Sequence, residues 1–175
     1  MIKINVRCDM NSLIRDLNRI QRDVIPKVAA RALNRAIDGV RAEAVRTLAG
    51  LTAIKQKDIR SRMYVKGATP NNLVAELGVL PYAPNLSKFR ATKGRGGITA
   101  NAWNQRKTYR GTFALPSGQV VSRRGKRKEP VKPIYGPSLP NTFMRKPVLD
   151  RLEAVARQRW RSEFEREMAR RLLAQ

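Results

Sequence analysis

Val28, Ala29, Ala32, Leu33, Ala36, Ile37, Val40, Ala44 and Leu48 recur at helical spacing. At 3.6 residues per turn these positions line up along one side of a helix. An apolar stripe of that length has to be buried, so it makes a long helix the backbone of any fold this chain adopts. Its alanines leave room for a sheet or a second helix to come close. Arg31, Arg35, Arg41 and Arg46 occupy the other faces, and Gly50 is the expected stop. Val148, Leu149, Leu152, Val155, Ala156, Trp160, Phe164, Met168 and Leu172 form a second stripe and predict a helix over 148–172. Pro147 suits its start, Asp150 and Glu153 its first turns, and Arg170 and Arg171 its last.

Other segments carry shorter periods. Ile2, Ile4 and Val6 alternate with Lys3, Asn5 and Arg7, which predicts a half-buried strand. Asp9 to Ser12 supplies turn and cap residues. Leu13, Leu17, Ile20 and Val24 return to helical spacing, and Pro26 either kinks that helix or opens a second one near its first turn. Thr52 is placed to cap a short helix reaching Met63, with Ile54, Ile59 and Met63 inward and Lys55, Lys57, Arg60 and Arg62 on a basic face. Tyr64–Val65 and 73–80 read as strands joined by the turn-rich Gly67-Ala-Thr-Pro-Asn-Asn72, and Pro81 and Pro84 end that unit. Thr112 to Ser122 reads as a hairpin with its tip at Pro116-Ser117-Gly118. Four of the ten prolines fall between Pro130 and Pro140, which predicts extended chain there. There are no repeats and no long heptad run. The expectation is an α+β fold: long N- and C-terminal helices packed with a small antiparallel sheet, and basic flexible loops in the middle. A chain of 175 residues with 42% apolar content suits one domain, 1–175, with a real core. Within it, 1–63 would form a strand plus helices, 64–143 strands and basic loops, and 144–175 the C-terminal helix.

Charge narrows the function. Lys and Arg number 37 against 13 acids, a net charge of +24. Solubility needs far less, and such a chain repels itself unless its charge is spread out or met by a partner. The partner classes are nucleic acid, an anionic membrane surface or an acidic protein. The excess is concentrated: no acid lies between Glu76 and Glu129, and from Lys88 to Lys132 there are 13 Lys and Arg against one Glu. The candidate polyanion-binding residues are therefore Lys88, Arg90, Lys93, Arg95, Arg106, Lys107, Arg110, Arg123, Arg124, Lys126, Arg127 and Lys128. Lys93-Gly-Arg-Gly-Gly97 could cradle a phosphate, but it lacks the Gly-Lys-Ser/Thr ending of a nucleotide loop. The plainer reading is a mobile basic loop, and residues from Lys88 to Lys107 are expected to be mobile. Arg123-Arg-Gly-Lys-Arg-Lys128 reads either as a nucleic-acid or nuclear-localisation patch or as a solvated loop. Trp103, Tyr109 and Phe113 interleave with these cations and could stack on bases. The plainer reading makes Phe113 a strand core residue and Trp103 a loop anchor. Trp160, among Arg157, Arg159 and Arg161, is better placed to pack its helix than to make a cation–π contact. Glu163, Glu165 and Glu167 are expected to pair with Arg161, Arg166, Arg170 and Arg171.

The sequence also excludes chemistry. Without histidine there is no Ser-His or Cys-His nucleophile pair and no His-ligated metal. Cys8 is the one cysteine, so neither an internal disulfide nor a thiolate zinc site can form, which fits a reducing compartment. The acids are scattered, which argues against a two-metal nucleic-acid enzyme. No metal and no cofactor are expected. Residues 1–10 carry Lys3, Arg7 and Asp9 with no apolar core, so no secretory signal is expected. No run approaches the roughly 18 apolar residues of a spanning helix. The expectation is a soluble protein made in the cytoplasm, without a membrane partner, acting by binding. An alternative to a structural role is a sequence-independent nucleic-acid-binding protein, ribosome-associated or DNA-packaging.

The layout resembles the minor tail protein Z family of lambdoid phages and prophages, a group of tail completion proteins. The features that carry this are Leu17-Asn-Arg-Ile20, then Val24-Ile-Pro-Lys-Val-Ala-Ala-Arg-Ala-Leu-Asn-Arg-Ala36, and the basic Ile54-Lys-Gln-Lys-Asp-Ile-Arg60. A polybasic middle and Pro140-Asn-Thr-Phe143 before an Arg-rich terminal helix complete it. The resemblance spans most of the chain and is loosest between Gly67 and Val131. It implies a structural virion protein at the head-proximal end of a long flexible tail, assembled in the host cytoplasm. It also implies other tail and neck proteins as partners, DNA in a lumen, and a homo-oligomeric ring, often of six. These motifs are patterns of helix and charge, and none transfers a catalytic residue.

Overall fold

The alanine-rich stripe forms one long helix. The computed structural model describes residues 2–6, 24–123 and 130–173, with side chains described for 24–123 and 130–171. The strand β1 is Ile2–Val6 and the helix α1 is Val24–Thr52, so Pro26 lies in the first described turn of α1. The short helix α2, Gln56–Ser61, leads into β2, Met63–Lys66, and β3, Ala75–Val79. A 3-10 turn at Leu86–Lys88 precedes β4, Thr92–Gly94, β5, Gly97–Ala102, and β6, Gln105–Arg110. Then come β7, Thr112–Ala114, β8, Val120–Arg123, and β9, Val131–Pro133. The chain closes with α3, Leu139–Phe143, and α4, Lys146–Leu173. The expected cap at Asp9–Ser12, the stripe residues Leu13, Leu17 and Ile20, and Arg124 to Lys128 lie outside the described residues.

The chain divides into two compact units. The first holds Met1–Ala44, Met63–Val79 and Lys146–Gln175. Its antiparallel sheet runs β1-β3-β2, with Ile2, Ile4 and Val6 opposite Val79, Leu77 and Ala75. Ala75, Leu77 and Val79 are buried on the central strand, as alternation along a strand requires. Asn34 on α1 fixes the turn after β2: its carboxamide accepts from Ala68 N at 2.7 Å and donates to Ala68 O at 3.0 Å.

The two long helices of this unit pack against each other antiparallel. Arg35 pairs with Glu167, Gly39 lies under Arg159, and Glu43 accepts from Arg151 at 2.6 Å. As residue numbers rise on α1, those of their partners on α4 fall. A Cβ on Gly39 would sit 2.5 Å from the Arg159 side chain, which lies across the glycine and would have to swing aside for a larger residue. Val148, Leu152, Ala156, Trp160 and Phe164 supply the buried stripe of α4, one residue in four. Trp160 and Phe164 stack with ring centroids 5.3 Å apart, so Trp160 packs its helix as expected.

The second unit holds Val45–Arg62 and Leu80–Arg145. It contains two three-stranded antiparallel sheets, β4-β5-β6 and β7-β8-β9. Its core gathers Leu48, Ile54, Ile59, Leu86, Phe89, Ile98, Val120, Leu139 and Phe143. Asn85 ties the two halves of this core together. It accepts from Ser87 N at 3.1 Å and Val120 N at 2.9 Å, and donates to Val120 O at 3.0 Å. The expected hairpin from Thr112 to Ser122 is present, with those two residues paired and Gly118 at φ +77° in the tip.

Some expectations change. The helix does not stop at Gly50 but runs to Thr52, and Ala53 takes the left-handed conformation at φ +59°. Thr52 therefore ends α1 and does not cap α2. Its hydroxyl donates to Leu48 O at 2.6 Å and accepts from Ile54 N at 3.3 Å. The orphan carbonyls of the helix end find partners, since Ala53 N donates to Ala49 O and the Asn104 carboxamide donates to Gly50 O. Ile54, Ile59 and Met63 are buried as expected, but only Ile59 lies in the short helix: Ile54 precedes it and Met63 opens β2. The α+β fold stands as expected, its small antiparallel sheet structure being divided among three sheets of the described residues. The segment from Lys88 to Lys107, expected as a flexible loop, is mostly a strand meander. Ile98, Ala100 and Ala102 alternate into the core of β5, and small residues between glycines make that period easy to overlook.

Candidate polyanion interface

The β4-β5-β6 meander decides where the basic residues of the second unit point. Directly paired residues share a face of a sheet, and neighbours along a strand alternate. Arg106 lies opposite Asn101, Thr108 opposite Thr99, and Arg110 opposite Gly97. The Thr99 and Thr108 hydroxyls confirm the shared face at 2.8 Å. Lys107 lies opposite Ala100 and Lys93 opposite Ile98, on the face that carries the buried residues of β5. The sheet thus separates cations that the sequence suggested as one cluster. Arg106 and Arg110 share one face, and Lys93 and Lys107 the other.

Gly97 makes this arrangement possible. Its φ is +134°, and a Cβ there would collide with Tyr109 O. The strand β6 is an edge strand whose Gln105, Arg106, Lys107, Thr108 and Arg110 are all exposed. A charged edge also discourages pairing with another sheet. Arg95 lies in the turn between β4 and β5, and Lys88 and Arg90 flank the buried Phe89. Arg90 adopts φ +49°. Arg123 is engaged inside its own unit, with its guanidinium 5.3 Å above the Phe113 ring. Arg124, Lys126, Arg127 and Lys128 lie outside the described residues.

The aromatic residues divide as well. Trp103 is 40% exposed at the β5–β6 turn, where Trp103 and Asn104 both have positive φ. Two consecutive positive φ values are the signature of a tight two-residue hairpin turn. Tyr109 is half-buried on β6, and burial pushes its phenol above the ordinary value. Burial also raises Tyr82, Asp58 adds to the rise, and Arg62, whose guanidinium lies 4.9 Å above the ring, opposes it. Phe113 is half-buried under Arg123, so Trp103 presents the freest aromatic surface of the three.

The electrostatic state of these cations is set by what surrounds them. Among the described residues, no carboxylate pairs with Lys88, Arg90, Lys93, Arg95, Arg106, Lys107 or Arg110. Two adjoining cavities, of about 340 and 300 Å³, share Lys55 and Lys88 in their walls. Lys55 was assigned by sequence only to the basic face of a short helix. The Lys-Gln-Lys run at 55–57 was a visible signal, but nothing in the sequence joined it to Lys88.

A family model described as prophage minor tail protein Z (GPZ) matches residues 9–175. The chain belongs to the prophage minor tail protein Z family. No curated protein and no solved structure matches it. As a minor tail protein the chain is a component of the phage tail and of the virion, where it meets other tail proteins. Among the described residues of this minor tail protein, no group of three or more Cys, Asp or Glu could hold a metal ion. No described helix is long and apolar enough to cross a membrane. The pairing of Glu163, Glu165 and Glu167 with arginines is present, through Arg166, Arg161 and Arg170. Sequence did not reveal that Glu167 is buried and also bound by Arg35 from α1.

Proposed function

We propose that this minor tail protein completes the head-proximal end of a long tail, that it assembles there as a ring, and that its basic surface faces a polyanion. The whole chain acts as one structural part, and it does so by binding without catalysis. The observation that carries this reading is the exposed, unpaired basic edge of the β4-β5-β6 sheet in a chain that belongs to a tail family. Uncompensated cations raise the energy of the isolated protein, and an anionic partner lowers it. DNA passing through the ring, or acidic surfaces of neighbouring tail proteins, would supply that charge. Subunits of +24 each can close a ring only where the basic residues are turned away from subunit contacts or matched by acid. Exposed charges are screened beyond roughly 8 Å, so only cations crowded at a contact oppose closure. Polyanion binding would use Lys88, Arg90, Lys93, Arg95, Arg106, Lys107, Arg110, Arg123, Arg124, Lys126, Arg127 and Lys128.

The test combines genetics with solution mass. Phage lacking the protein should build tails that fail to join filled heads, seen by electron microscopy of lysates. The purified protein should run as a closed oligomer by light scattering and negative-stain imaging. A monomer at virion-like concentrations, with duplex DNA added, would sink the ring.

A further inference from the structure

We infer that the cleft of the second unit bounded by Lys55, Lys88 and Arg90 is a binding site for a phosphate group. The inference rests on the reading of the basic surface as polyanion-binding and gives it a definite seat. Three observations converge on the larger cavity, about 340 Å³. That volume falls near the lower end of ligand pockets, roughly 300–1,000 Å³.

The first observation is charge. Lys55, Lys88 and Arg90 line the cavity and no acid does. Among the described residues none of the three cations is ion-paired. Asp58, the one acid nearby, lines only the adjoining chamber. The second is the floor, formed by the buried Ile54 and Phe89. An apolar floor lowers the local dielectric and strengthens the pull on an anion. The third is backbone. Of the four non-glycine residues with positive φ among the described residues, three line this cavity: Ala53, Arg90 and Asn104. Left-handed backbone outside glycine is uncommon and tends to collect where a site is being shaped. Here it ends α1 at Ala53, shapes the chain at Arg90 after the buried Phe89, and brings Asn104 to Gly50 O.

The donor set selects the ligand. Two ammonium groups and a guanidinium offer many hydrogen-bond donors in addition to three charges. Asn101 and Asn104 line the same cavity, with the Asn104 carboxamide held by Gly50 O. A carboxylate brings one charge and two oxygens. A phosphate monoester brings up to two charges and three strong acceptors, which uses the site more fully. A free phosphate compound presents that group directly; a DNA backbone presents phosphodiesters, each with a single charge, and matches the site only by bringing neighbouring phosphates to it.

The probe is inorganic pyrophosphate, titrated into the full chain and followed by ³¹P NMR and calorimetry. The variants are Lys55→Gln/Lys88→Gln and, as a control of equal charge, Arg157→Gln/Arg161→Gln on the exposed face of α4. Each lost charged hydrogen bond is worth about tenfold or more in affinity, so the first variant should bind at least that much more weakly and the control nearly as the parent does. Lys88→Ala alone should show the same direction if the double variant does not fold. Equal losses in the two double variants would reduce the effect to net charge and overturn the site. So would the absence of saturable pyrophosphate binding, or tighter binding of a triglutamate peptide. Displacement of pyrophosphate by duplex DNA assigns the phosphate to a DNA backbone; its persistence assigns a free phosphate compound. Tails that complete normally without the protein would sink the tail-completion reading and leave the pyrophosphate result standing.

Discussion

Arginine does opposite work in the two units. On α4, Arg157, Arg161, Arg166 and Arg170 each face a glutamate one turn away, at 3.7, 3.3, 3.0 and 3.4 Å. Arg151 and Arg35 reach across to Glu43 and from α1 to Glu167. These charges are matched within the chain, and each exposed pair adds a few tenths of a kcal/mol to the helix. In the second unit, Arg106 and Arg110 lie exposed on an edge strand with no described acid beside them. The same side chain is structural where acids accompany it and available where they do not. What separates the two cases is the placement of the 13 acids, none of which falls between Glu76 and Glu129.

The largest effect should come from the packing of the first unit. Leu33 is almost fully buried on α1. Leu33→Asp, or Ile37→Asp, places an unpaired charge in that core, at a cost of about 4 kcal/mol or more. The variant should lose its helical circular dichroism and its cooperative melt. A soluble, fully helical Leu33→Asp protein would show that α1 does not organise the unit. A smaller effect tests whether α4 depends on its pairs. Glu167 is 6% exposed while the Arg35 side chain is 48% exposed. Breaking a fully buried pair costs about 3–5 kcal/mol, but exposure of Arg35 and the second partner Arg170 discount this to about 1–2 kcal/mol for Arg35→Ala. Denaturant melts of Arg35→Ala and Glu167→Leu decide it. The second should lose less, because it leaves no carboxylate buried. A larger loss for Glu167→Leu would mean the carboxylate is needed for more than the pair.

Much of the paired region was legible in the sequence, because its signals are long. The stripes from Val28 to Leu48 and from Val148 to Leu172 run for several turns, and i,i+3 and i,i+4 acid–base spacing needs no tertiary knowledge. The hairpin from Thr112 to Ser122 was legible for a similar reason: its turn residues sit between alternating apolar ones. The second unit was harder to read. Strand β5 offers only Ile98, Ala100 and Ala102 as its buried period, framed by Gly94, Gly96 and Gly97, and composition alone reads that as loop. The end of α1 was set by Asn104, which lies 54 positions from the Gly50 carbonyl it binds. The phosphate cleft depends on Lys55 meeting Lys88 and Arg90, which no local pattern contains.

The unpaired region can be tested through salt. If DNA is its partner, binding is blind to sequence and log K falls with log salt in proportion to the phosphates neutralised. Arg106→Gln/Arg110→Gln should lower that slope by about 2, with stability changed by no more than about 0.5 kcal/mol. Replacing Arg123 to Lys128 with Ser and Gln should flatten it further. A slope that both variants leave untouched would remove DNA and leave acidic tail proteins, sought by pull-down from nuclease-treated lysate.

The smallest effect separates burial from charge at Tyr109, which lies on the basic strand itself. Its phenol is raised, and burial is the cause. A neighbouring cation would instead favour the phenolate and lower it. The direction therefore says that burial outweighs charge at this ring, although Lys93 and Lys107 share its face of the sheet and only Arg106 and Arg110 lie on the other. Linkage gives the sign. A phenol raised in the folded state contributes stability that is fully present below its unfolded value and is lost as pH rises through the folded one. The loss attributable to Tyr109 should thus fall above about pH 10. It should be absent from Tyr109→Phe when denaturant midpoints of the two proteins are compared across that range. Ultraviolet titration at the phenolate band should lose a late-ionising component in the same variant. An early component lost instead would mean that a cation on the same face, Lys93 or Lys107, outweighs burial at the ring.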